Sequence, residues 1–238
     1  MSGVTYMAVV LPRQCHKLPK TVVRKSYHVL ALLLFVPGQL LQPETMRLAY
    51  AASFALLCTL ELVRNARVGA LSDLLQRLID EHKDERDGGV VVLTHIYLLL
   101  GCAFPSFLCP HTTKEVKGAM RILLSLSGVL IVGVGDTAAS VYGKLCGRRR
   151  WHPQAGPKTV EGTFAGALSS TAAAGFTVYL ATRWGGARAE WDGSWLPTAC
   201  AVGVATAAAA VLEAFTMQID NLVLSVWYFI LLSTATGV

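Results

Sequence analysis

Between Gly133 and Thr163 the chain reads GVGDTAASVYGKLCGRRRWHPQAGPKTVEGT, and most of its chemically pointed residues fall there. Asp136 is the only carboxylate between Glu115 and Glu161. It closes a long apolar run, where a charge is costly and therefore usually has a use. Ala139, Gly143 and Gly147 follow at intervals of four. On a helix they form one bare stripe, which a second helix or a phosphate can approach closely, and the spacing leaves both open. Lys144, Arg148, Arg149, Arg150 and Lys158 then supply five positive charges before the next carboxylate, Glu161. An arginine run commonly sets topology or meets lipid headgroups. The cluster Lys158, Thr159, Glu161 and Gly162 is more specific, because an ammonium, a hydroxyl and a glycine-permitted turn opening a helix are the parts of a phosphate cradle. It is not a Walker A loop, since no G-x-x-x-x-G-K-[ST] occurs.

Two other acidic sites are candidates. Asp84, Glu85 and Asp87 interleave with Lys83 and Arg86 ahead of Gly88 and Gly89. They make either a charge-balanced surface loop or a carboxylate that takes a proton from an alcohol or helps hold a metal. Asp220, beside Asn221, lies between two apolar runs as either an interfacial cap or, with Asp136, a pair of oxygen ligands for magnesium. His95 sits in an apolar run near Thr94 and Tyr97, and a buried, hydrogen-bonded histidine is the expectation.

These residues need a frame, and composition sets its class. The 238 residues are 53% hydrophobic and 15% charged, with a mean hydropathy of +0.49, which excludes an ordinary soluble domain. Apolar runs at about 27–42, 47–63, 89–109, 119–143, 162–182, 195–213 and 222–236 predict an all-α, polytopic membrane bundle of about seven hydrophobic segments. Between the second and third, Val68, Leu71, Leu74, Leu75, Leu78 and Ile79 recur at helical spacing among Arg64, Arg67, Asp73, Gln76 and Arg77. That pattern predicts one interfacial amphipathic helix. Residues 1–26 are a basic stretch broken by Pro12 and Pro19, read as a cytosolic leader. Residues 27–238 are then a membrane-embedded catalytic domain whose nucleotide loop lies near 144–162. The six cysteines have no paired metal spacing, so they are expected to be reduced. Neither Asn65 nor Asn221 begins a glycosylation sequon.

Charge orients the bundle. With the N-terminus on one side, the lysines and arginines of the leader, of 64–88 and of 144–161 place 15 of the 21 positive charges on that side and six on the other. The positive-inside rule makes the richer side cytosolic. The same choice puts the Asp84 loop, the Asp136 helix end, the Lys158 loop and the 218–221 loop on one face.

The order Asp136-x-x-Ala139-x-x-x-Gly143-x-x-x-Gly147, followed by Pro157-Lys158-Thr159-x-Glu161-Gly162, resembles the signature of CTP-using membrane enzymes: phosphatidate cytidylyltransferases, phytol kinases and dolichol kinases. DERDGG with LTHIYLLLG, from Asp84 to Gly101, and MQIDNLVL, from Met217 to Leu224, are similar to segments in the C-terminal part of eukaryotic dolichol kinases. Pro157 stands where that family usually has a first lysine. The resemblance implies phosphoryl transfer from CTP to dolichol within an endoplasmic reticulum membrane. Lys158 and Arg148 to Arg150 would neutralise the triphosphate. Thr159, Glu161 and Gly162, with the small-residue stripe at Gly143 and Gly147, would shape its site. Asp136 and Asp220 would hold magnesium, and Asp84 or Asp87 would serve as base. The expected partners are CTP, a polyprenol and the bilayer, with no nucleic acid and with the oligomeric state open. A cytidylyltransferase acting on a phospholipid, or a truncated, non-catalytic membrane module, are the alternatives.

Single cysteines placed in 84–87, 144–161 and 218–221 should all react with an impermeant maleimide from outside sealed microsomes. Reaction of any one loop only after permeabilisation would reject the shared cytosolic face.

Overall fold

The computed structural model describes residues 20–67, 69–82, 92–109, 118–151, 158–184, 195–216 and 220–235. The chain forms α1 (Lys20–Leu41), α2 (Pro43–Ala66), the short α3 (Gly69–His82) and α4 (Thr94–Leu108). It continues as α5 (Gly118–Cys146), α6 (Val160–Trp184), α7 (Trp195–Phe215) and α8 (Asp220–Ala235). The described residues hold no strand, only an isolated antiparallel bridge between Arg150 and Thr159. Among the described residues four helices, α2, α5, α6 and α7, are long and apolar enough to cross a membrane, and shorter apolar segments lie in α1, α4 and α8. This is the all-helical membrane bundle expected from the apolar runs.

The helix α5 is the axis. Its most apolar stretch is 78% buried, against 6% for that of α2, so α5 is surrounded by protein and α2 faces outward. Leu123, Leu124, Leu126, Val129, Ile131 and Val132 form the heart of the core with Tyr228 and Leu232 of α8. Because lipid is as apolar as leucine, close packing rather than hydrophobicity must hold such helices together, and small residues make close packing possible. Gly128 of α5 is the clearest case. A Cβ there would strike the carbonyl oxygen of Gly101 in α4 and the hydroxyl of Ser225 in α8, two groups that are themselves hydrogen-bonded to each other.

Within α5, Ile131–Asp136 widens into a π-helical turn before the α-helix resumes at Thr137. Such turns admit an extra residue per turn and recur at functional sites. This one carries the buried charge of Asp136.

The end of α2 differs from the sequence reading. Arg64 belongs to α2 and not to the amphipathic helix, and Arg67 is its left-handed cap at φ 52. The cause is Glu61, one turn earlier, whose carboxylate accepts from Arg64 Nε at 2.9 Å and from the amide of Val92 at 2.7 Å. Arg64 also donates to Gln76 at 2.8 Å, and Ser72 Oγ donates to the Arg64 carbonyl at 3.0 Å. These bonds turn the Ser72 and Gln76 side of α3 toward α2 and leave Leu71, Leu74 and Leu78 exposed, as in a helix lying along an apolar surface.

The packing of α5 on α6 yields a stability test. A Cβ on Gly162 would lie 2.7 Å from the Ala139 carbonyl oxygen and 3.1 Å from Gly143 Cα. Gly162→Ala should therefore cost about 1–3 kcal/mol through overpacking. Gly175→Ala, with nothing within 4 Å of the added methyl, should be neutral or slightly stabilising. Thermal unfolding in detergent measures both.

Candidate functional site

Asp136 is drawn into a polar cluster that three helices assemble. Lys25 of α1 forms an ion pair with Asp136 Oδ2, and both side chains are almost fully buried. His28, one helical turn along α1, places Nε2 3.3 Å from the same oxygen and 3.4 Å from Oδ1 of Asn221 at the start of α8. Ser140 Oγ stands 3.5 Å from Asp136 Oδ1. A carboxylate inside an apolar helix requires a counter-charge, because desolvating either ion alone costs several kcal/mol. Asp220 is the first residue of α8; its side chain, like all of Asp84 and Asp87, lies outside the described residues. Among the described residues no three His, Cys, Asp or Glu gather as a metal cluster.

The glycine stripe faces another helix. A Cβ on Gly143 would lie 2.8 Å from Thr159 Oγ1, and one on Gly147 would lie 2.6 Å from Thr159 Cγ2. Ala139, Gly143 and Gly147 thus form the seat for the start of α6, which is the helix-packing alternative of the two that the spacing left open.

Beyond Cys146 the basic segment turns back and is fastened at three points. The amide of Val160 donates to the Arg149 carbonyl at 2.9 Å, making a two-stranded neck. Glu161, in the first turn of α6, accepts the amides of Arg148 at 3.1 Å and of Arg149 at 3.2 Å. Thr159 caps α6, its hydroxyl accepting the amide of Gly162 at 3.2 Å. Trp151 Nε1 donates to Thr163 Oγ1 at 2.8 Å, and its ring lies 5.7 Å from that of Phe215 at the end of α7. Arg148, Arg149 and Arg150 remain exposed.

Lys158 has a different position from the one its motif suggests. Its ammonium donates to the carbonyls of Glu213 and of Thr216, the latter at 2.9 Å, with Glu213 Oε1 3.9 Å away. A cation at a helix C-terminus meets unpaired carbonyls and the negative end of the dipole. Lys158 therefore binds the loop to α7.

The two groups of residues are separated. Asp136 precedes the ten helical residues Thr137–Cys146, so roughly 15 Å of helix lies between it and the arginines. Sequence reasoning placed Lys25 in the leader and missed its role. The available signal was a lysine and a histidine three apart, and so on one face, entering an apolar helix. Glu213, the lone carboxylate of its apolar run, was missed in the same way. His95 is exposed instead of buried, its ring edge-on to Tyr27 at 5.6 Å, because it lies in the first turn of α4 at the bundle's rim.

An apolar helical bundle with a charged residue inside it and a basic loop at one rim describes a polytopic membrane protein, and the relationship to known proteins is direct. The chain belongs to the cytidylyltransferase family, whose model matches residues 6–238. It is 36% identical over 220 residues to the dolichol kinase of Bos taurus and, over the same length, to that of Homo sapiens, covering 91% of this chain. It is 34% identical over 216 residues to the dolichol kinase EVAN of Arabidopsis thaliana. The chain spans 38% of the length of the two mammalian relatives and 36% of the plant one. No solved structure matches.

Lys25→Met should strand the Asp136 carboxylate and cost about 3–5 kcal/mol, whereas Lys25→Met with Asp136→Asn, which removes both charges, should recover most of it. Thermal unfolding of the two purified variants decides whether the pair is coupled.

Proposed function

We propose that the chain is the membrane-embedded catalytic part of a CTP-dependent dolichol kinase of the endoplasmic reticulum. The observation that carries this reading is the Asp136 cluster, a charged site inside an apolar bundle joined by one helix to a basic loop at the rim. A polyprenol stays among the helices while a nucleotide arrives from water, so a kinase for such an alcohol needs polar chemistry at their meeting point. The similarity to dolichol kinases supports dolichol as acceptor and CTP as donor. The excess of positive charge on the loop side supports a cytosolic face for the site.

In this reading the exposed arginines Arg148, Arg149 and Arg150 attract and neutralise the triphosphate as it enters. Glu161, Thr159 and Lys158 hold the loop that presents them, with Lys158 acting from behind, through α7. Gly143, Gly147 and Gly162 let α5 and α6 approach, which sets the loop beside the helix that bears Asp136. The hydroxyl oxygen of dolichol attacks the terminal phosphorus of CTP, the bond to the bridging oxygen breaks, CDP leaves and the alcohol proton is released. Asp84 or Asp87 is the proposed acceptor for that proton. Phosphoryl transfer depends chiefly on positioning and on charge neutralisation. Magnesium fits the donor chemistry at Asp136, since Lys25 lies on Oδ2 and, among the described residues, Oδ1 has only the distant contact to Ser140. Asp136 would hold the ion with Asp220, and the ion would neutralise phosphate charge.

A cytidylyltransferase would use the same nucleotide but join the innermost phosphate to lipid and release pyrophosphate, and the family description keeps it as the second reading. Purified chain offered dolichol, phytol and phosphatidate together, with CTP labelled on either the terminal or the innermost phosphate, separates the two. Terminal label in dolichyl phosphate is expected, and Asp136→Asn should bring it to background. Innermost label in lipid would favour the cytidylyltransferase, and no label in any lipid would leave a non-catalytic module.

A further inference from the structure

We propose that Lys25 is a phosphate-binding residue of the site, bridging Asp136 and the terminal phosphate of the nucleotide, and not simply the counter-ion of Asp136. The proposal rests on the kinase reading above and adds a catalytic residue from outside the signature stretch.

Three observations lead to it. An ammonium carries three N–H donors, and among the described residues the partner of Lys25 is Asp136 alone. Lys25 is 4% exposed, so water has little access to the remaining donors, and a buried ammonium with donors to spare is costly unless further oxygens reach it. Position supplies the second observation. The arginines of the rim loop lie roughly 15 Å of helix away from Asp136, too far for one phosphate to touch both. A triphosphate whose terminal group reaches the cluster therefore needs a cation there. Lys158, the expected one, is engaged with the end of α7, whereas Lys25 is already in place. The third is the surrounding chemistry. His28 and Asn221 meet beside the same carboxylate. Their contact joins α1 to the first turn of α8 beside Asp136, so polar groups from three helices meet there.

Charge balance makes the proposal testable apart from turnover. The paired variant Lys25→Met/Asp136→Asn removes one charge of each sign, so the net charge is unchanged and folding is retained. Equilibrium binding of CTP is measured in EDTA at low ionic strength, where metal plays no part and phosphate contacts are least screened. Should Lys25 only neutralise Asp136, the paired variant binds CTP as the wild type does, or more tightly because a carboxylate has gone. Should Lys25 hold a phosphate, the paired variant binds about tenfold or more weakly, the loss expected for one charge-assisted contact. Lys25→Arg, which keeps the charge, should stay within a fewfold of wild type. Lys25→Gln/Asp136→Asn, which keeps a hydrogen bond between the positions, replaces the methionine pair if that pair does not fold.

Equal binding by the wild type and either paired variant overturns the proposal. A wild type that binds no CTP under these conditions also overturns it. The kinase reading is judged separately by the label-transfer assay, so a chain that phosphorylates dolichol but binds CTP equally well without Lys25 would retain its activity assignment and lose only this residue's role.

Discussion

A carboxylate placed inside the most buried helix of an apolar bundle is the constraint from which the arrangement follows. Asp136 cannot be left without a counter-charge in that setting, and the two basic residues that meet it come from α1, the first of the described helices. Lys25 and His28 lie one turn apart on α1, so satisfying Asp136 fixes both the height and the rotation of that helix against α5. Asn221 extends the same contact to α8. The π-helical turn places Asp136 at the point where α1, α6 and α8 converge, and its glycines permit the approach: a Cβ on Gly133 would stand 3.4 Å from the His28 carbonyl oxygen.

The rim loop is organised by a second, independent set of bonds. Glu161 gathers two consecutive backbone amides, Thr159 caps the helix that follows, and Lys158 holds the end of α7. Each of these side chains carries a charge or hydroxyl that sequence alone would offer to a ligand. Each is engaged in shaping the loop, and the exposed arginines are what the loop presents.

Composition and apolar periodicity were enough to establish the helical membrane class and the place of each apolar helix, because a segment that must satisfy its own backbone in lipid has helix as its solution. The isolated charge at Asp136, the basic loop and the small-residue stripe were legible for the same reason: each is expensive or unusual in its own local context. What the stripe faces was not legible, since four-residue spacing serves a phosphate and a helix equally, and the identity of the neighbour, Thr159 with the first turn of α6, is a property of the packed state. The roles of Lys25, Arg64 and Lys158 were likewise decided by tertiary structure. A basic residue at the end of an apolar run has the same local appearance whether it sets topology, caps a helix or neutralises a buried acid. The pairing of Lys25 with a carboxylate 111 positions away exists only once the helices that carry them are packed side by side.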